Sequence, residues 1–199
     1  MRALPPFLVL AFAAGATVLQ AQVDYNARLG VTWATPLLRD SVVEEVQVRQ
    51  KLAPTLVVGA SLPIAPRYRA GLEVALTTSG YQAEEGGASS DLGTVRTGSV
   101  TLGLHGPIST DFRWRAGTGL LSYWPSQDQG AFARGGTTKF LAGAGIDYRR
   151  SLLPQWEMMV SLAYDFHRFT TDELQARGFS QGQGVQRIAA TIGVARARR

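Results

Sequence analysis

The chain has no cysteine, so neither a disulfide framework nor a thiolate metal site can stabilise or serve it. Lipoprotein processing, which acylates a cysteine, is excluded on the same ground. Only two of the 20 basic residues are lysines, Lys51 and Lys139. There is no basic run except Arg196, Arg198 and Arg199 at the tail, so the sequence offers no footprint for nucleic acid. Histidine is nearly absent too, with His105 and His167 alone. Beyond the first two dozen residues no apolar run approaches the ~20 residues of a spanning helix.

The opening stretch MRALPPFLVLAFAAGATVLQAQ has a basic n-region at Arg2 and an apolar region from Phe7 to Leu19. That pattern predicts a secretory signal peptide over residues 1–21, with cleavage after Ala21 or, as an alternative, after Ala16. The mature domain is then 22–199. Loss of Arg2 lowers the formal charge of +5 by one. An exported chain of this size without disulfides needs another source of stability, and closure of a barrel in a membrane is one.

What the chain does have is alternation. In WEMMVSLAYDFHRF, Trp156, Met158, Val160, Leu162, Tyr164 and Phe166 form one set. Glu157, Met159, Ser161, Ala163, Asp165 and His167 form the other. A period of two is a β-strand with unlike faces. The same pattern recurs near 24–34, 53–64, 67–80, 93–105, 111–123, 137–149 and 185–195. Eight segments of about ten residues suit a tilted crossing of a bilayer. Short connections follow segments two, four and six, and long polar ones follow one, three, five and seven. That asymmetry predicts short periplasmic turns, long outer loops and both chain ends in the periplasm. Within the first long loop, Val42 to Arg49 has β character and is expected to extend segments one and two as a hairpin.

A lipocalin-like secreted barrel would turn the apolar face inward around a ligand. The other face argues against it. It carries Arg28, Thr32, Arg69, Glu73, Thr101, Arg113, Arg115, Asp147, Arg149, Glu157, Asp165, His167 and Arg187. Between them lie Gly59, Gly71, Gly103, Gly117, Gly119, Gly143 and Gly145. Glycines on a wet outer surface would have no purpose. In a narrow lumen they make room for long arginines, and opposite charges satisfy one another. Folding the hairpins places Arg113 opposite Asp147, Arg149 beside Glu157 and Asp165 opposite Arg187. The expected lumen network is therefore Arg28, Glu73, Arg113, Arg115, Asp147, Arg149, Glu157, Asp165, His167 and Arg187. Aromatics gather at both ends of the apolar face, with Tyr25, Tyr68, Phe112, Trp114, Tyr148 and Trp156 at one end. Trp33, Trp124, Phe140 and Phe166 stand at the other, as interfacial girdles require.

The fold class is an all-β, eight-stranded antiparallel up-and-down transmembrane β-barrel. In this architecture the whole mature chain resembles the small outer-membrane barrels of the OmpA transmembrane domain, OmpX and OmpW type. The resemblance implies residence in the outer membrane of a diderm bacterium, a monomer, and contact with lipid, lipopolysaccharide and the assembly machinery. That machinery reads a terminal aromatic residue in such barrels. Here the chain ends Val194-Ala195-Arg196-Ala197-Arg198-Arg199, a departure that weakens the signal or moves it inside the chain.

Little in the sequence suggests chemistry. His105 is expected as a solvated turn residue. Some barrels of this kind modify lipid A, but that chemistry needs its base on the lipid-facing wall, and His167 has inward parity. Glu44, Glu45, Glu84, Glu85 and Asp91 read as solvated loop carboxylates. No catalytic residue, cofactor or metal site is expected. Arg96 and Arg168 have outward parity near the outer rim and are candidates for lipopolysaccharide phosphates. The expected role is structural or surface-interacting, with a lumen plugged by charge. A narrow solute channel is the alternative, and a lipid A-modifying enzyme or lipocalin-like carrier stands behind it.

Overall fold

A computed structural model of the chain describes residues 23–40, 46–85, 88–128, 130–176 and 182–196. The signal peptide expected over 1–21 lies outside them. The described residues form ten strands: β1 (Asp24–Ala34), β2 (Leu38–Asp40), β3 (Val46–Gln50), β4 (Ala53–Ala65), β5 (Tyr68–Glu85), β6 (Ala88–Pro107), β7 (Phe112–Pro125), β8 (Thr137–Leu153), β9 (Trp156–Phe169) and β10 (Gln183–Arg196). Every pairing is antiparallel, and sequential neighbours pair around the ring. β1 then pairs with β10, Leu29 facing Ile192, and closes it. Setting aside the short β2 and β3, eight strands make the barrel. Closure leaves no unpaired edge, which a membrane requires of a sheet.

The alternation decides which face looks out. On β1, Tyr25, Leu29, Val31 and Trp33 are exposed, and Arg28 and Thr32 are buried. On β9, Val160, Leu162, Tyr164 and Phe166 are exposed, and Met159, Ser161 and His167 are buried. An apolar band circles the wall and includes Leu102, Leu120, Phe140 and Ile146. So large an exposed apolar surface marks a membrane contact. Aromatic pairs stand at its turn end, with ring centroids 6.3 Å apart for Tyr68–Trp114 and 5.3 Å apart for Phe112–Tyr148.

Turns of the expected kind join β4 to β5, β6 to β7 and β8 to β9. At the other end the long connections are more ordered than their polarity suggests. The described residues of segment 82–92 are not an open loop. β5 and β6 run on as a hairpin to the pair Glu85–Ala88, past an irregularity at Gly80/Gln82. β2 and β3 form a second hairpin, with Leu38 facing Val48. β3 continues the line of β4 along β5, with Gln50 facing Tyr81. The first long loop thus extends the β1–β4 hairpin, over those of its residues that are described. A 3-10 turn at Gly130–Phe132 and a short helix, α1 (Asp172–Ala176), lie in the third and fourth loops.

Candidate functional site: a layered, closed lumen

The inward residues stack in layers. Deepest in charge is a cluster contributed by four strands: Arg28 on β1, Glu73 on β5, Arg115 on β7 and Asp147 on β8. Glu73 binds Arg28 through one carboxylate oxygen and Arg115 through the other. Asp147 lies 3.8 Å from Arg28 and 3.5 Å from Arg115. Ser161 joins them, accepting from Arg28 Nη1 at 2.8 Å and donating to Asp147 Oδ1. Arg28 is 1 % exposed and Asp147 fully buried, so each charge depends on its partners for the solvation it has lost.

Glycine makes this packing possible. A Cβ on Gly145 would lie 2.7 Å from both Arg115 Nε and the Leu162 carbonyl. Arg115 can therefore cross the lumen only because Gly145 has no side chain. Gly71 plays the same part for His105, whose Nε2 would sit 2.5 Å from an added Cβ. Gly145→Val is accordingly expected to cost ~1–3 kcal/mol through overpacking, read as a lower urea midpoint for unfolding from lipid vesicles. An unchanged midpoint would show that Arg115 has room to move aside.

The expected network is reorganised in several places. Arg113 does face Asp147 across β7 and β8. No ion pair joins them: the Asp147 contacts with Arg28, Arg115 and Ser161 all fall on Oδ1, and its Oδ2 is buried without a hydrogen-bond partner. Arg149 and Glu157 form a separate pair at 3.8 Å nearer the turns. Asp165 and Arg187 are register partners, as the hairpin folding requires. Their charged ends are not within ion-pair distance, and Arg187 Nη2 donates to Thr97 Oγ1 at 3.1 Å. His167 belongs to no ionic contact within that distance. Its Nε2 shares a 2.7 Å hydrogen bond with the Tyr123 hydroxyl. His105 is not a solvated turn residue. β6 runs on to Pro107, which carries the ring inside the barrel, 6 % exposed.

Beside the ionic layer lies a cavity of about 80 Å³, lined by Thr32, Thr55, Thr77, Ser99, Asp165 and Arg187 among others. Thr32 and Thr55 hydroxyls are 2.6 Å apart, and those of Thr55 and Thr77 are 3.1 Å apart. Such a polar space suits a few bridging waters.

The loop end of the lumen is the part that sequence reasoning missed. It is apolar. Val95, Leu121, Tyr123, Leu141, Phe169 and Val185 point inward from the strand ends. Leu37, Val48, Tyr81 and Leu174 close over them, and Phe132 is at the centre with no exposed surface. Its ring lies 5.6 Å from Tyr81, 5.9 Å from Tyr123 and 5.6 Å from Phe169. Thr171 Oγ1 donates to the Ala131 carbonyl at 2.5 Å and accepts from Leu174 N at 3.2 Å, which pins the plug to α1. Arg134 and Glu173 link the same two loops at 3.2 Å. Burial pushes the Tyr81 hydroxyl up to about 12, so it stays neutral within this cap. The signal was present: Leu121, Tyr123, Leu141 and Phe169 break the polar inward pattern toward one end, and Phe132 is a large apolar residue within a polar loop.

No family model matches the sequence, and no curated protein matches it. Solved structures do. The chain superposes on Neisserial surface protein A with a TM-score of 0.54 at 12% identity, over 88% of this chain and 96% of that one. The fold is that of the small outer-membrane β-barrels. Outer membrane protein AlkL, solved in lipid bilayers, gives a TM-score of 0.56 at 15% identity over 88% and 90% of the two chains. Outer membrane protein OprG from Pseudomonas aeruginosa gives 0.50 at 12% identity over 88% and 95%. The interior of this small barrel holds an ionic layer toward the turns and an aromatic plug toward the loops. Arg96 and Arg168, the arginines expected to face outward at the outer rim, are exposed, and Arg96 faces Trp124 across β6 and β7.

Proposed function

We propose that this protein is a bacterial outer-membrane barrel with a closed lumen, acting through the surface that its outer hairpins and loops present. The observation that carries this reading is the pair of seals in series. The ionic layer crosses the lumen between β1, β5, β7 and β8, and Phe132 with its aromatic neighbours packs the loop end. Eight strands leave an interior just wide enough for side chains to fill. A solute path would have to break both layers.

The outer-membrane location, reached with a cleaved signal peptide at 1–21, is part of the proposal. It is supported by the apolar wall, the aromatic girdles and the likeness to outer-membrane structures. The turns then face the periplasm. Above the opposite rim β2, β3, β5 and β6 form a small sheet in water. Arg96 and Arg168 project from the outer rim toward lipopolysaccharide phosphates. The role proposed is structural or interactive; the inward His167, hydrogen-bonded through Nε2 to Tyr123, does not stand on the lipid-facing wall where lipid A chemistry needs its base.

The first experiment is fractionation followed by detergent gels with and without boiling, then reconstitution into planar bilayers. The expected result is an outer-membrane protein whose mobility changes on boiling and which gives no discrete conductance steps. Reproducible single-channel openings from pure protein would replace this reading with the narrow-channel one. A soluble periplasmic protein with no heat shift would remove the membrane barrel altogether.

A further inference from the structure

We propose that the outer rim carries a subsite for the phosphorylated sugar headgroup of an outer-leaflet glycolipid, built from Thr78, Arg96 and Trp124. The inference rests on the outer-membrane reading above and says which part of the rim does the recognising. Three adjacent strands put these residues side by side. Thr78 on β5 faces Arg96 on β6, and Arg96 faces Trp124 on β7. All three are exposed. Val95 and Thr97, on either side of Arg96, are buried at 0 % and 2 % exposure, so the guanidinium leaves from the outer wall and not into the lumen. Toward the turns, the next outward residues on β5 and β6 include Leu76 and Val100, which belong to the exposed apolar band. The subsite therefore stands where the wall changes from apolar to polar.

Arg96 is a cation without a protein counterion. From this line of residues down to the turns, no outward position of β4 to β8 is acidic. At the loop end the ion pairs join Arg49 to Glu84 at 3.5 Å and Arg134 to Glu173 at 3.2 Å. Asp91, the carboxylate next above on β6, accepts from Gly93 N at 2.8 Å. Asp128 and Asp172 are exposed residues of the third and fourth loops. Arg96 belongs to no ion pair among the described residues. At a membrane interface the anion that meets such a cation comes from a lipid headgroup, and phosphate oxygens suit the guanidinium fork. Trp124 adds a second, independent element. Its ring lies over Gly98 on the neighbouring strand, where a Cβ would be 2.6 Å from both Cη2 and Cζ3 and 3.3 Å from Leu76 Cδ2. The missing side chain of Gly98 thus seats the indole against the wall, and the ring still keeps 52 % of its surface open. A held aromatic ring beside a guanidinium and a hydroxyl matches a ligand that carries a sugar face and a phosphate together. A plain anionic phospholipid offers the phosphate but no sugar ring to lie on the indole.

The test uses the full mature chain refolded in a non-ionic detergent, with 5-fluorotryptophan in place of tryptophan and fluorine NMR as the readout. Trp33, Trp114, Trp124 and Trp156 give four signals, and Trp124→Phe assigns the one at the subsite. Three probes are titrated: bisphosphorylated lipid A, the same lipid with its phosphates removed, and phosphatidylglycerol. Phosphorylated lipid A should shift the Trp124 signal saturably and leave Trp114 and Trp156, at the turn end, unmoved. Phosphatidylglycerol should give no saturable shift. Arg96→Gln should weaken lipid A binding by about ten-fold, the loss of one charge-assisted contact, and removal of the phosphates by at least as much. Arg150→Gln, which removes the same charge from an exposed residue at the turn end, should leave binding unchanged. The heat-modifiable gel shift shows that each variant is folded, so failure of the subsite is distinguishable from failure of the membrane-barrel reading. Absence of a saturable Trp124 shift in heat-modifiable protein, wild-type affinity in Arg96→Gln, or an equal response to phosphatidylglycerol overturns the proposal.

Discussion

Glu73→Gln is expected to destabilise the folded barrel by ~3–5 kcal/mol, the usual loss when one partner of a buried ion cluster is removed. Glu73 holds both Arg28 and Arg115. Its amide replacement carries no charge, so two buried guanidiniums would then share Asp147 alone. Arg28, at 1 % exposure, has no route to water. The measurement is the urea midpoint for unfolding from lipid vesicles, followed by tryptophan fluorescence. Glu157→Gln is the matched comparison. Its side chain keeps 20 % of its surface and lies 3.8 Å from one arginine, the buried Arg149, so a smaller loss of ~1–3 kcal/mol is expected.

The paired variant Arg28→Met with Glu73→Leu separates charge from shape. It leaves Arg115 and Asp147 as a balanced pair, 3.5 Å apart. Apolar replacement of a buried ion pair is often neutral or stabilising. Most of the stability lost in Glu73→Gln should therefore return. If the double variant is no more stable than the single one, the loss comes from packing and the uncompensated-charge account fails.

The second large effect is expected at the opposite end. Phe132→Ala removes the centre of the aromatic plug and costs ~3–5 kcal/mol of local stability. This loss should not reach the barrel. Phe132 lies in a loop, and none of the ring's strand pairings depends on it. The third loop, 126–136, should become a site of rapid proteolysis while the heat-modifiable gel shift persists. Opening and cleavage of a loop report local and not global stability. Conductance should remain absent, because the ionic layer still spans the lumen. Discrete conductance from Phe132→Ala alone would show that the ionic layer is not a seal. Simultaneous loss of the gel shift would show that the plug supports the whole barrel.

Much of this architecture can be read in the chain because a barrel strand alternates lipid with lumen at a period of two. Trp156 to Phe169 shows both faces in one stretch, and β9 has those bounds. Hairpins also make register a local property. Arg113 faces Asp147, and Asp165 faces Arg187, as folding about the connecting segments requires. The extent of β5 and β6 beyond the membrane was less legible. Residues 82–92 are polar, and a strand pair in water on both faces has no apolar face to announce it.

The contacts within the lumen could not be read at all. Arg28 and Glu73 are on strands separated by β4, and Arg28 and Asp147 are on strands separated by β10 and β9. Alternation says that these side chains point inward. It does not say which ones meet across the interior, because that depends on the tilt and stagger of the closed sheet. The same limit hid the plug. Phe132 belongs to no strand, and its neighbours Tyr81, Tyr123 and Phe169 come from three different ones. The sequence by itself determined the strands, their facing residues and the side that meets lipid, since these follow from local periodicity and chain reversal. Only the tertiary structure decided which charges pair and what closes the outer mouth, since long side chains choose their partners across the lumen, where separation in sequence carries no information.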